Sequence, residues 1–252
     1  MKKTKNRWTP PPADFKLAPS EAHLWRVGLD IPPSRQSSFW DILSDDEKQR
    51  ANRFRFEKDK RRYIAGRAVL RNLLAQYLNK KPAEIHFRYG PQGKPFSENG
   101  LSLKFNLSNS AHLALIGFVL NDELGVDLED AGREVETTLV AKHFFSKKET
   151  ERLLALPAHQ QQTAFYNCWT RKEAFIKAKG DGLSFPLDQF EVSLRPNEKA
   201  ELLATYWDEK EKEKWSLFSV APMDGFVGAL AVEGKIKKVK YWDWEKNIGP
   251  VK

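Results

Sequence analysis

Two short stretches hold the side chains with which this chain could do chemistry. GVDLED (125–130) places Asp127 and Glu129 two positions apart in a basic chain, and WTRKEAFIK (169–177) places Glu173 and Lys177 four apart. In an extended strand alternate side chains share a face, so Asp127 and Glu129 stand together while Leu124, Val126 and Leu128 take the other side. Neighbouring carboxylates without an obvious local cation repel each other unless water or a bound cation relieves them. A solvated acidic edge strand, which discourages pairing between sheets, satisfies this pattern, and so does a metal site. On a helix, Glu173 and Lys177 have the spacing of an ordinary i,i+4 ion pair. If that helix packs across the strand, Glu173 completes an all-oxygen site with Asp127 and Glu129. Mg²⁺ prefers such ligands and keeps open positions for water and substrate phosphate, and Lys177 would lie where phosphate charge needs stabilising.

The elements that must position these groups follow a regular grammar. AHLWRVGLD (22–30) reads as a strand, and LSDDEKQRANRF opens a helix with Ser44 and Glu47 as a capping box. A second helix runs through RRYIAGRAVLRNLLAQYLN, with Ile64, Ala68, Leu70, Leu74 and Leu78 near helical spacing and Arg61, Arg62, Arg67 and Arg71 on its other faces. Pro82 limits it. EIHFRYG and the turn PQGKP lead to strands FNLS and HLALIGFVL, and the latter is expected to turn through NDE into LGVDLE as a β-hairpin.

The second half repeats the order. A strand at 124–129 precedes a helical stretch to Phe145, and Ser146 with Glu149 forms another capping box ahead of TERLLALP. QTAFYNCWTRKEAFIKAKG is an amphipathic helix stopped by Gly180 in KGDGL. FEVSL, WSLFSV, GFVGALAVE and KVKYWDW read as strands. The expected fold is α+β: a loosely ordered N-terminal arm (1–20), then two similar α+β halves, 21–121 and 122–252, in a pseudo-twofold arrangement.

The 252 residues are 40% hydrophobic, with 8 Trp and 16 Phe, enough for a sizeable core. No apolar run approaches the roughly 18 residues of a membrane span, and the Lys-rich start has no apolar stretch behind it, so the expectation is a soluble, cytoplasmic protein without a membrane partner. The single cysteine, Cys168, excludes an internal disulfide and fits a reducing compartment. It sits in an aromatic helix between Tyr166 and Trp169 without a motif partner, which reads as a packed thiol. The five histidines (23, 86, 112, 143 and 159) lack metal-ligand spacing, which argues against zinc. A net charge of +8 favours an anionic partner: nucleic acid, a phosphate-rich cofactor or an acidic protein.

GVDLE (125–129), WTRKEAFIKAKGDGL (169–183), FNLSNS (105–110) and QGKP (92–95) resemble, in order, the signature blocks of 4′-phosphopantetheinyl transferases of the surfactin-synthetase type. The resemblance extends more weakly from about residue 22 to 233. It implies a monomer with coenzyme A bound as substrate in the cleft between the halves, and Mg²⁺ held there by Asp127, Glu129 and Glu173. Lys177 would touch the phosphates. Glu149 matches the glutamate proposed to activate the incoming serine hydroxyl, although its capping box already explains a glutamate there. Arg50, Lys58, Arg62 and Lys94 are the nearest matches to phosphate-facing cations; taken one by one, a solvated basic helix face is the better account of the first three, whereas the Gly93-Lys94-Pro95 turn can aim Lys94. Ser108 and Asn109 fall in the S-H-S block, where Asn109 replaces a histidine that contacts the 3′-phosphate. Asn109 can donate a hydrogen bond but cannot become cationic, so either the affinity for the 3′-phosphate falls or another donor such as His112 or Arg62 compensates.

The implied reaction is transfer of the 4′-phosphopantetheine arm to a serine of an acidic apo carrier protein, with no nucleic-acid partner. Phe144 and Phe145 are candidates either for receiving the carrier or for the core. A Mg²⁺-dependent nuclease or phosphohydrolase, and a non-catalytic coenzyme A- or carrier-binding protein, are the rival readings.

Overall fold

The capping box at Ser44 and Glu47 forms as the spacing predicts and starts α2 (Asp45–Asn52), just after the short α1 (Gln36–Asp41). The long helix α3 (Glu57–Leu78) begins a turn earlier than its apolar periodicity and ends where Asn79 takes a left-handed conformation, φ 51°. The computed structural model describes residues 6–98, 102–133, 135–180, 182 and 185–245. Residues 1–5 of the expected arm, Asp181 and Leu183 of the KGDGL stop, and 246–252 of the expected second half lie outside the described residues.

Two sheets form the middle of the molecule. The first has the order β11–β1–β5–β4, from β1 (Glu21–Gly28), β4 (Leu103–Ser110), β5 (Leu113–Leu120) and β11 (Lys238–Asp243). The second has the order β6–β10–β9, from β6 (Leu124–Asp130), β9 (Trp215–Val220) and β10 (Phe226–Glu233). Two small hairpins complete the strands: β2 (Phe87–Tyr89) with β3 (Pro95–Ser97), and β7 (Phe190–Val192) with β8 (Leu202–Thr205). Between β6 and β7 lie α4 (Thr137–Phe144), α5 (Lys147–Leu154) and α6 (Ala158–Lys179), the last closed by Gly180 at φ 81°.

Strand periodicity builds the layers. In β1, Trp25 and Val27 enter a core shared with Leu70, Leu73 and Leu74 of α3, while Ala22 and Leu24 enter another shared with Val126 and Leu230 of the second sheet. The second sheet's opposite face, through Ala229 and Ala231, joins Phe175 and Ile176 of α6. The order is helix, sheet, sheet, helix, and the two halves meet through the apolar contact of their sheets. A leucine fully buried in that contact is worth about 1.5–3 kcal/mol.

Three expectations are corrected. β5 and β6 do not form a hairpin: β5 lies between β1 and β4, whereas β6 pairs antiparallel with β10, with Asp127 opposite Ala229. The NDE connection instead carries the chain from one sheet to the other, turning at Asn121 with φ 68°. The division at 121/122 is crossed by β11, which returns from the second half to pair parallel with β1. The described part of the N-terminal arm is packed. Trp8 is buried and donates to the Ala221 carbonyl at 3.0 Å, Thr9 bridges to Trp242, and the Phe15 ring meets Trp25, Tyr77 and Trp242. Large aromatic surface, which pattern reading of a Pro-rich segment overlooks, is the reason it orders.

Candidate functional site

Where the sheets meet, β4 and β6 are both edge strands, and polar side chains of β4 serve the facing edge of β6. The Asn106 side-chain oxygen accepts the Val126 N–H at 2.9 Å, and Ser110 Oγ accepts the Asp130 N–H at 3.1 Å. Between them Ser108 Oγ donates to Asp127 Oδ1 at 3.1 Å, and Ser110 Oγ donates to Glu129 Oε2 at 3.3 Å. The period-2 alternation in FNLSNS thus puts Asn106, Ser108 and Ser110 on one face. Asn109, between the serines, is exposed on the other face.

Helix α6 crosses the same strand. A side chain at Gly125 would put its Cβ 2.1 Å from the Ala174 carbonyl oxygen and 2.5 Å from the Ala178 nitrogen, so glycine lets the helix backbone rest on β6. That approach brings Glu173 and Lys177 to Asp127. Lys177 Nζ lies 2.6 Å from Asp127 Oδ1 and 3.1 Å from Ser108 Oγ, which supplies the cation that the strand itself lacks. Of the two readings of Glu173 and Lys177, the local i,i+4 ion pair gives way to this longer-range contact.

The electrostatics are those of crowded carboxylates. Burial first, and then the Asp127 charge, pushes the Glu173 carboxyl up to about 7, partly offset by Lys177. Burial and Asp127 also raise Glu129, with Ser110 and Lys177 opposing. Asp127 Oδ2 and Glu173 Oε1 are buried without a hydrogen-bond partner among the described residues. Orphaned acceptors of this kind cost free energy unless a cation or water reaches them. Among the described residues no three His, Cys, Asp or Glu side chains converge closely enough to cage a metal ion, and Lys177 holds one oxygen of Asp127. The donor set is nonetheless all oxygen, the chemistry that suits Mg²⁺.

The structure brings Ser108, Asp127, Glu129, Glu173 and Lys177 together and places the remaining candidates elsewhere. Arg62 makes a two-pronged contact with Asp30, at 2.7 and 2.9 Å, which holds the Asp30 carboxyl below its usual range; Lys58 adds to that effect. Arg50 lies over the Tyr63 ring and lines a cavity of about 600 Å³ with Arg53, Phe54 and Tyr89.

Lys94 lines a cavity of about 290 Å³ together with Glu123 and Lys179. Its Nζ donates to Glu123 Oε2, the Leu124 carbonyl and the Ala178 carbonyl at 3.0–3.2 Å, so all three protons are committed to the β6–α6 junction. Glu149 forms the expected capping box with Ser146; it is fully enclosed, and both its oxygens have partners within the protein. Phe145 is core, stacked on Phe165, whereas Phe144 is 40% exposed. Cys168 is buried as expected, and burial raises its thiol well above the ordinary value.

Sequence reasoning missed Asn106, Ser110 and Lys172. The first two are legible in the alternation of FNLSNS; nothing in the sequence separates Lys172 from the other charged residues of its amphipathic helix.

Known proteins resemble this chain along both of its halves. Residues 123–231 match the model of the 4′-phosphopantetheinyl transferase superfamily, and residues 32–118 match that of the 4′-phosphopantetheinyl transferase N-terminal domain. The 4′-phosphopantetheinyl transferase HetI of Nostoc sp. is 40% identical over 242 residues, covering 94% of this chain and 98% of its own. A putative 4′-phosphopantetheinyl transferase of Synechocystis sp. is 36% identical over 67% of this chain and 69% of its own, and Sfp of Bacillus subtilis is 31% identical over 68% and 76%. With both halves matched and one relative aligned along nearly all of both chains, this protein belongs to the 4′-phosphopantetheinyl transferase superfamily.

Proposed function

We propose that this enzyme moves the 4′-phosphopantetheine arm of coenzyme A onto a serine of an apo acyl or peptidyl carrier protein, with release of 3′,5′-ADP, in a Mg²⁺-dependent reaction. The observation that carries the reading is the pair of orphaned, buried carboxylate oxygens on Asp127 and Glu173, from a strand and a helix, with Lys177 beside them. Asp127, Glu129 and Glu173 are the residues that would hold the metal. Bound there, Mg²⁺ would neutralise charge on the pyrophosphate of coenzyme A.

The chain's own groups do the rest by position and charge. Lys177 is 31% exposed, so its ammonium can swing from Asp127 toward a phosphate. Ser108, which bonds both Lys177 and Asp127, keeps them in register during that exchange. The serine oxygen bonds to the β-phosphorus as its O–H proton passes to water, and the bridging bond to the α-phosphate breaks, with 3′,5′-ADP taking the electron pair. Arg50, Lys58 and Arg62 are proposed to meet the outer phosphates, Arg62 by exchanging Asp30 for one of them. The net charge of +8 would draw in polyanionic coenzyme A and an acidic carrier, an attraction that weakens with salt. A monomer acting in the cytoplasm is the form proposed, in keeping with a lone, unpaired cysteine. No helix among the described residues is long and apolar enough to cross a membrane.

The test is to incubate the protein with coenzyme A, Mg²⁺ and a panel of apo carrier proteins, and to look by mass spectrometry for the added arm. Modification that stops on chelation is expected. No modified carrier at adequate metal and cofactor would sink the reading.

A further inference from the structure

Behind the site lies an ion pair whose two side chains are both fully buried, Lys172 Nζ and Glu149 Oε2, 2.8 Å apart. Lys172 spends its other protons on the Leu187 and Phe190 carbonyls, at 2.7 and 2.5 Å, and its ammonium lies 4.1 Å from the Phe190 ring centroid. Glu149 Oε2 also accepts the Ser146 N–H at 2.9 Å, and Oε1 accepts the Val192 N–H at 2.7 Å, with the Cys168 thiol 3.6 Å away. One charge pair therefore ties α5 and α6 to the stretch that becomes β7. Each charge is dependent on the other, because a lone charge buried there would be strongly destabilising.

Lys172 directly precedes Glu173, and successive helix residues are about 100° apart around the axis. Holding Lys172 into the second core therefore fixes the rotation at which Glu173 and Lys177 meet β6. A glutamate beside a phosphoryl-transfer site could instead accept the serine proton, but that role needs an oxygen open to substrate. Glu149 offers none, since it is enclosed and both oxygens are engaged.

We infer that Glu149 and Lys172 are a positioning pair: they set the rotation of α6 and so hold Glu173 and Lys177 against Asp127, while Glu149 takes no proton in the reaction. The activity readout of this inference rests on the proposed transfer reaction; its stability and exchange readouts do not.

The test compares full-length wild type with E149Q, K172M and the double variant E149Q/K172M, using coenzyme A, Mg²⁺ and an apo carrier that the wild type modifies. Each single change leaves one buried charge and should lower both the unfolding midpoint and kcat, the latter by about 10–100-fold. The double change removes both charges, so the midpoint should recover and kcat should return to within about fivefold of wild type, a strongly non-additive result. A double variant that regains stability but stays as slow as E149Q would identify Glu149 as the proton acceptor and overturn the inference, as would a double variant no more stable than the singles.

A wild-type measurement covers the case in which the variants fail to fold. Hydrogen exchange at the Val192 amide should stay protected when coenzyme A and Mg²⁺ are added, and loss of protection would show Glu149 turning out of its pocket. If the wild type modifies no carrier, the proposed function fails, and the stability and exchange results still decide whether the pair is fixed.

Discussion

Lys177 Nζ sits 2.6 Å from Asp127 Oδ1, joining a helix to a strand across 50 positions of sequence and placing the site's cation on a carboxylate. The contact also explains why Asp127 can be buried beside Glu129 and Glu173. Opposite charge at hydrogen-bond distance offsets repulsion among the three acids. The following outcomes are expected.

Asp127→Asn should cut transfer by at least about 100-fold, because it removes a charge from the proposed ligand set and from Lys177. The fold should persist, since Lys177 is partly solvated and is not left as a buried charge. Loss of Asp127 should also let the Glu173 carboxyl fall from about 7 toward its ordinary value, as Asp127 is the largest charge raising it. Steady-state kinetics and NMR titration of Glu173 check both parts. Near wild-type turnover would refute the ligand assignment.

Gly125→Ala should disrupt the site without removing a charged group. The added Cβ would meet backbone of α6 at 2.1 and 2.5 Å, which no side-chain movement relieves. Overpacking of this kind costs about 1–3 kcal/mol or more, and here it separates Glu173 from β6. Denaturant unfolding and turnover should both fall; an unchanged midpoint would show that helix and strand are less closely seated.

Asn106→Ala should loosen the junction between the sheets. It leaves the Val126 N–H without its acceptor in a buried setting, a loss of about 1–3 kcal/mol. Asn106→Asp retains an acceptor and should be milder in stability, but its new charge beside Asp127 should slow transfer. The two readouts, unfolding free energy and kcat, are expected to rank the variants in opposite order.

Stability should fall as pH drops from about 6.5 toward 4, through His23. Burial lowers its pKa from 6.5 to about 4 against the opposing pull of Glu21, and its ring bonds the Tyr77 hydroxyl at 2.7 Å. Between those values the unfolded chain binds a proton that the folded chain refuses, so acid favours unfolding over this window, by up to about 3 kcal/mol below it. His23→Gln should flatten that part of the stability profile. An unchanged slope would assign it to another group.

Much of this protein was legible from one dimension. Capping boxes at Ser44 and Ser146, the stop at Gly180 and the two-faced strand 124–130 are local, since each depends on residues within a turn or a pleat of one another. Asp127, Glu129, Glu173 and Lys177 were therefore nameable as one group once helix and strand were known. Local chemistry does not say which edge a strand will pair with, and so the expected β5–β6 hairpin gave way to pairing of β6 with β10. Proximity in the chain favoured the hairpin, but sheet-to-sheet burial of Leu24, Leu115, Val126 and Leu230 required the crossover.

The fate of charged side chains was likewise a tertiary decision. Lys94 and Lys177 are both lysines of signature blocks, yet the first spends every proton on the β6–α6 junction while the second stays partly solvated beside Asp127. Glu149 and Glu173 are both buried acids, but one meets Lys172 and a backbone N–H and the other keeps an orphaned oxygen. The sequence by itself determined which residue types were present and which face of a helix or strand each occupied. Packing decided which charges were spent on the fold and which were left for a ligand, because that depends on distances between segments that are far apart in the chain.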